Sequence, residues 1–167
     1  MFLKTEHITP RLCLDPLTLG EIDFIIELVN SPGWLAFIGD RQVHNREMAT
    51  QYIQKILDRA DVVYWVVKLK ETHTPIGVIT YIQRSYLDYP DLGFAFLPAY
   101  TQHGYAAEAA GVVLNDLQSK GGHPQILATT VPANLNSIRL LTKLGFRFTR
   151  EIQHEKDRLH LYTKNFD

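Results

Sequence analysis

The chain has 167 residues, enough for one domain with a sizeable core, and its 46% hydrophobic and 21% charged content is an ordinary globular balance. A net charge of −1 gives no electrostatic hold on nucleic acid or an anionic membrane, and no apolar run approaches the roughly 20 residues that cross a bilayer. The one cysteine, Cys13, excludes an internal disulfide and fits a cytoplasmic location.

Residues 1 to 10 carry neither a basic n-region nor an apolar h-region, so secretion is not expected. His7, His44, His73, His103, His123, His154 and His160 are scattered, without an H-x-x-x-H pair or a cysteine cluster, and no metal is expected. Arg11-Leu12-Cys13-Leu14-Asp15 alternates and predicts a strand in which Cys13 packs rather than reacts. Thr18 and Glu21 form a capping-box pattern ahead of a helix with Ile22, Ile25, Ile26 and Val29 on its apolar face. Asn30-Ser31-Pro32-Gly33 breaks that helix. Trp34, Leu35, Phe37 and Ile38 follow, and a second helix is predicted from Asn45 to Asp58 with Met48, Tyr52 and Ile56 on one face.

Val62 to Leu69 is a β-branched and aromatic strand, and a polar turn returns the chain into Ile76 to Ile82 as its hairpin partner. After the loop from Gln83 to Pro90, Asp91 to Leu97 is a third strand of this group. A helix is predicted from Tyr105 to Ser119, closed by Gly121-Gly122, then a strand from Gln125 to Val131 and a helix starting at Asn134. Phe146-Arg147-Phe148 and Arg158 to Tyr162 finish the sheet. The order β-α-α-β-β-β-α-β-α-β-β predicts one α+β domain over residues 1–167, with a mixed, mostly antiparallel twisted sheet of seven strands and four helices.

The run from Leu97 to Ala109 is the most informative. A strand ends at Pro98, and a polar turn with one glycine leads into an alanine-rich helix with little bulk in its first turn. Such a turn leaves backbone N–H groups pointing outward, the helix dipole adds positive potential, and small residues let a phosphate approach the backbone. The turn lacks the lysine of a P-loop and the three glycines of a dinucleotide fingerprint.

Thr101-Gln102-His103-Gly104-Tyr105-Ala106 instead resembles the pyrophosphate turn of the GNAT superfamily of N-acetyltransferases, Q/R-x-x-G-x-G/A followed by A-x-E-A, departing at Thr101. A second segment, Asn134 to Phe146, is similar to the family's N-x-x-S-x-x-x-x-x-K-L-G-F pattern. Asn134 suits an N-cap there, Ile138, Leu141 and Leu144 share one helix face, and Gly145 supplies the stop. Thr9-Pro10-Arg11-Leu12, Leu14-x-x-Leu17 and the Gly104-to-Ala109 helix start look most like the branch that acetylates ribosomal-protein N-termini.

The resemblance implies transfer of an acetyl group from acetyl-CoA, as co-substrate, to a primary amine on a protein N-terminus or a small molecule. It implies direct transfer in a ternary complex by a monomer or homodimer, with no nucleic-acid or membrane partner. The pyrophosphate would lie on the backbone amides of Gln102, His103, Gly104, Tyr105, Ala106 and Ala107, with the His103 ring either adding charge or idle in the loop. The pantetheine arm would lie along the backbone of Phe94, Phe96 and Leu97, on a strand that splays from its neighbour. Asp91 is the candidate base for the amine proton. Ser137 is the candidate proton donor to the thiolate, because Leu141 occupies the position of the family's usual tyrosine. Asn134 would order the cofactor arm or a water, while Glu108, inside the helix, would have a structural or dipole role. Trp34, Phe37, Asp40 and Arg41 would form one side of the acceptor site and Tyr81, Tyr86 and Tyr89 the other. The missing tyrosine also leaves a second reading open, a non-catalytic module that senses acyl-CoA.

Overall fold

Runs of β-branched and aromatic residues extend because their side chains pack well on a pleated surface, and among the described residues eight strands, several of them such runs, pair in one sheet. In the computed structural model, which describes residues 4–167, these are β1 (His7–Ile8), β2 (Leu12–Pro16), β3 (Val62–Leu69), β4 (Pro75–Ile82), β5 (Asp91–Phe96), β6 (Gln125–Thr130), β7 (Arg147–His154) and β8 (Asp157–Asn165). Residues 1–3, part of the N-terminal stretch in which no secretion signal is read, lie outside the described residues. The spatial order is β1-β2-β3-β4-β5-β6-β8-β7, antiparallel everywhere except between β5 and β6. The two-residue β1 is absent from the expected order, because so short an edge strand carries no readable alternation.

Among the described residues, five helices flank the sheet: α1 (Ile22–Val29), α2 (Pro32–Phe37), α3 (Arg46–Leu57), α4 (Tyr105–Lys120) and α5 (Leu135–Lys143). The break at residues 30–33 is real, yet it also starts a helix. Pro32 occupies the first turn of α2, where a missing N–H is harmless and its fixed φ is already helical. Thr18 and Glu21 form the expected capping box, which here closes a 3-10 turn just ahead of α1. Asn45 caps α3 by accepting from the Met48 N–H at 2.8 Å. The buried side of α3 is Ala49 and Ile53, with Tyr52 and Ile56 at its margin, whereas Met48 is exposed. The expected Met48-Tyr52-Ile56 stripe is thus rotated by about one residue, as apolar side chains at the edge of a narrow stripe allow.

Period-two alternation sends successive strand residues to opposite faces. Val63, Trp65 and Val67 of β3, with Ile79, Leu92 and Ile126, meet α4 and α5 through Ala109, Ala110, Val113, Leu114 and Leu141. Val66 and Val78 point the other way and meet α1, α2 and α3 through Phe24, Ile25, Leu28, Trp34 and Ile53. Each fully buried Leu or Ile in these layers contributes about 1.5–3 kcal/mol of transfer free energy. Cys13 is half-buried on β2, in register with Lys68, outside both clusters. No helix among the described residues is long and apolar enough to cross a membrane.

Candidate active site

β5 pairs with β4 along its whole length, from Ile82↔Asp91 to Gly77↔Phe96. On its other side it meets β6 in register only at Asp91↔Leu127, beside the Leu127 N–H donating to the Pro90 carbonyl at 2.9 Å. Beyond Asp91 the two strands part. In an antiparallel pair, alternate residues turn both main-chain groups to one neighbour and the intervening residues turn theirs away. The Leu97 N–H donates to the Ile76 carbonyl at 2.9 Å, which sets the phase. Gly93 and Ala95 therefore serve β4, and Phe94 and Phe96 present their N–H and C=O groups to the gap. Leu97 is a correction to the sequence reading. Its N–H is engaged by Ile76, its carbonyl accepts from the Tyr100 N–H at 2.9 Å, and its side chain is buried against α1, α2 and α3.

The gap continues into a cleft of about 910 Å³, within the range of small-molecule sites. At its β5 end a 3-10 turn, Pro98–Tyr100, leads to two left-handed residues, Gln102 with φ +62° and Gly104 with φ +81°. Gly104 is the N-cap of α4 and has no side chain to satisfy the helix's free donors. The first helical bond runs from the Glu108 N–H to the Gly104 carbonyl at 3.1 Å. Among the described residues, the N–H groups of residues 102–107 have no protein acceptor. Gln102, Gly104, Ala106 and Ala107 border the cleft. The His103 ring lies against Tyr105, with centroids 5.7 Å apart, and neither side chain lines the cleft.

Glu108 ties this turn to the start of β2. One carboxylate oxygen accepts from the Thr9 hydroxyl at 2.5 Å and the Arg11 N–H at 3.1 Å; the other accepts from Arg11 Nε at 2.8 Å. Arg11 also donates through Nη1 to the His103 carbonyl at 3.1 Å, and its guanidinium lies 4.4 Å above the Tyr105 ring. This is the structural role expected for Glu108, with a partner, Arg11, that sequence reasoning does not link to it. Burial works against the charged form, but the hydrogen bonds from Thr9 and Arg11 prevail and hold the Glu108 carboxyl below its usual range. A depressed carboxyl stabilises the fold fully above its unfolded value and loses that contribution as pH falls through the folded one. Glu108→Gln is therefore expected to flatten the acid side of the stability curve, measured by urea midpoints from about pH 7 down to about pH 3. An unchanged acid slope would show that the carboxylate is not held in this way.

The far end of the cleft lies on the α1–α3 side of the sheet. Trp34, Phe37 and Arg41 from the α2 region line it, as do Tyr64, Thr80, Arg84, Tyr86 and Asp91. Trp34 is buried, its indole N–H without a protein acceptor among the described residues, and Arg41 sits 5.8 Å above its ring. Tyr81 does not belong here. It packs on the α4 side of the sheet, and its neighbour Thr80 faces the cleft instead, because one step along a strand exchanges faces. Asp40 is exposed and closes a local turn by accepting from the Gln42 N–H at 2.7 Å, outside the cleft lining. Tyr89 is likewise outside, edge-on to His123, while Tyr86 stacks on His154 with centroids 3.7 Å apart. Asp91 is 2% exposed and receives Arg84 Nε at 2.5 Å. Burial lifts its carboxyl above the usual range, with Arg84 opposing. Alternation on β4 is the signal that separates Thr80 from Tyr81. Nothing in the local sequence marks Arg84 as the partner of Asp91.

The third wall is α5. Asn134 accepts from the Ser137 N–H at 3.2 Å, so it caps the helix while its amide group borders the cleft together with Ser137. Gly145, with φ +94°, ends the helix in a Schellman arrangement: the Phe146 N–H reaches the Leu141 carbonyl at 3.0 Å and the Gly145 N–H reaches Thr142 at 3.1 Å. Leu141 is buried and has no proton to give.

Comparison with known proteins agrees with this geometry. Residues 11–147 match the family described as acetyltransferase (GNAT) domain. A curated relative, the uncharacterized N-acetyltransferase YnaD of Bacillus subtilis (strain 168), is 37% identical over 57 residues, which is 34% of this chain and 34% of that protein. The match thus spans about a third of the curated relative. Among solved structures, a GNAT-family acetyltransferase from Bacillus anthracis superposes with a TM-score of 0.81 at 21% identity, covering 96% of this chain and 98% of that one. RimL, a ribosomal L7/L12 alpha-N-protein acetyltransferase in complex with coenzyme A, gives 0.84 at 13% identity over 96% and 97%. The ribosomal-protein-S5-alanine acetyltransferase of Vibrio fischeri gives 0.79 at 18% identity over 98% and 97%. At such identities the likeness is one of fold, but the family match takes in most of the chain. A split sheet, a glycine-capped turn at its mouth and that match together establish that the chain belongs to the GNAT acetyltransferase family, whose acyl donor is acetyl-CoA.

Proposed function

We propose that this protein moves the acetyl group of acetyl-CoA directly onto a primary amine, a protein N-terminus or a small-molecule amine, within a ternary complex. The observation that carries the reading is the parting of β5 from β6 at Asp91, with the donor-rich turn of residues 102–107 at its mouth. The pyrophosphate rests on the amides of that turn, and the pantetheine arm extends the sheet against Phe94 and Phe96. A main-chain N–H of β5 in this gap faces the thioester oxygen, where negative charge develops as the amine attacks.

The acceptor enters from the α1–α3 side, between Trp34 and Phe37 on one wall and Thr80 and Tyr86 on the other. Its ammonium gives a proton to Asp91, directly or through one water, because only the free amine has a lone pair for attack. The new C–N bond forms as the C–S bond breaks. Ser137 protonates the departing thiolate and takes its proton back from the nitrogen of the new amide, which sheds a second proton after attack, and Asn134 orders the cofactor arm beside it. The structural neighbours that act on ribosomal proteins favour a protein N-terminus as one acceptor class.

Thiol release from acetyl-CoA, followed with a panel of amines and of peptides with free or blocked N-termini, tests this. Steady release that requires a free amine is expected. Tight acetyl-CoA binding with no turnover on any amine would replace the enzyme reading with that of an acyl-CoA sensor.

A further inference from the structure

A carboxylate in the first turn of the helix that receives a pyrophosphate is an electrostatic liability, because it repels the ligand and competes for the same helix dipole. Glu108 is such a residue, four positions after the N-cap Gly104. Both of its oxygens are engaged on the β2 side, by the Thr9 hydroxyl, the Arg11 N–H and Arg11 Nε. The same guanidinium holds the His103 carbonyl through Nη1 at 3.1 Å. A trans peptide sets its N–H opposite its carbonyl. Fixing the His103 carbonyl on Arg11 therefore directs the Gly104 N–H away from Arg11, and Gly104 borders the cleft.

We infer that Arg11 is a positioning residue for the cofactor phosphates: it cancels the Glu108 charge and locks the peptide between His103 and Gly104 with its donor facing the ligand. This rests on residues 102–107 being the pyrophosphate turn. Arg11 does not line the cleft. It acts through Glu108 and through the peptide plane. A planar guanidinium with several fixed donors bridges the two acceptors at once, and an ammonium on a flexible stem does not.

Dissociation constants for acetyl-CoA and for S-acetylpantetheine, which lacks the diphosphate, separate the possibilities. Arg11→Ala is expected to weaken acetyl-CoA by about tenfold or more, the worth of one charge-assisted hydrogen bond, and to leave S-acetylpantetheine unchanged. It should raise the KM for acetyl-CoA and spare kcat at saturation. Arg11→Lys should recover only part of the loss. Arg11→Ala with Glu108→Gln should bind acetyl-CoA more tightly than Arg11→Ala alone, because the unmasked charge has been removed. A purely structural tie predicts the opposite, a double variant no better than the single one. That outcome, or acetyl-CoA affinity unchanged in Arg11→Ala while Gly104→Val loses it, would overturn the inference. Wild-type protein that binds acetyl-CoA no more tightly than S-acetylpantetheine would overturn the pyrophosphate turn itself.

Discussion

Gly104→Val is expected to raise the dissociation constant for acetyl-CoA by about 100-fold or more. Two costs combine. Gly104 holds φ +81°, where a β-branched residue is strained, and an L-residue there costs roughly 1–2 kcal/mol. The added Cβ would also start 3.3 Å from Arg11 Nη2, so the turn or the guanidinium that holds the His103 carbonyl must shift. Gly104→Ala carries the backbone cost with little bulk and should fall between the two. Calorimetric titration with acetyl-CoA measures the effect, and S-acetylpantetheine affinity reports that the rest of the cleft is intact. Full acetyl-CoA affinity in the valine variant would remove the turn from the cofactor site.

Asp91→Asn is expected to lower kcat by about 10²–10⁴, the usual worth of a positioned general base, with acetyl-CoA affinity retained. The substitution keeps the shape of a buried side chain but leaves Arg84 without its anion, so the folded fraction is measured alongside. The pH profile distinguishes the base from a brace. A base works ionised, so wild-type kcat should rise with pH through the lifted carboxyl value, and the rise should vanish in Asp91→Asn. Removing the neighbouring guanidinium in Arg84→Gln takes away the interaction that favours the ionised form, so the rise should move to higher pH. Wild-type kcat in Asp91→Asn, or a profile indifferent to Arg84, would take Asp91 out of the chemistry.

The places of Gly104 at the start of α4 and of Asp91 at the start of β5 are both legible in the amino-acid sequence, while the roles given to them above are proposals. A lone glycine between a strand end and an alanine-rich helix has few explanations, and an acid at the start of the strand leading to it is placed by counting. The Asn134 cap, the Gly145 stop and the capping box at Thr18 are legible for the same reason: each is a short-range hydrogen-bond pattern written in three or four adjacent residues. The acceptor side is less so. Tyr81 is assigned to the wrong face by sequence, because the alternation along β4 that sends Thr80 and Tyr81 to opposite sides does not by itself say which side holds the cleft. Asp40 attracts notice by its charge, though its carboxylate is taken up by the turn it closes.

The other departures share one physical origin. Arg11 and Glu108 are 97 positions apart, and Tyr86 and His154 meet only where a loop crosses the β7–β8 hairpin. Leu97 continues a row of strand residues by its position, yet its N–H is committed to Ile76. Patterns of three to sixteen residues thus set most of the elements and where they stop, because propensity, capping and periodicity act along the chain. Which side chains face one another across the cleft, and which main-chain donors are left without partners, depends on strand register and on contacts between distant segments, where packing and hydrogen-bond geometry act through space.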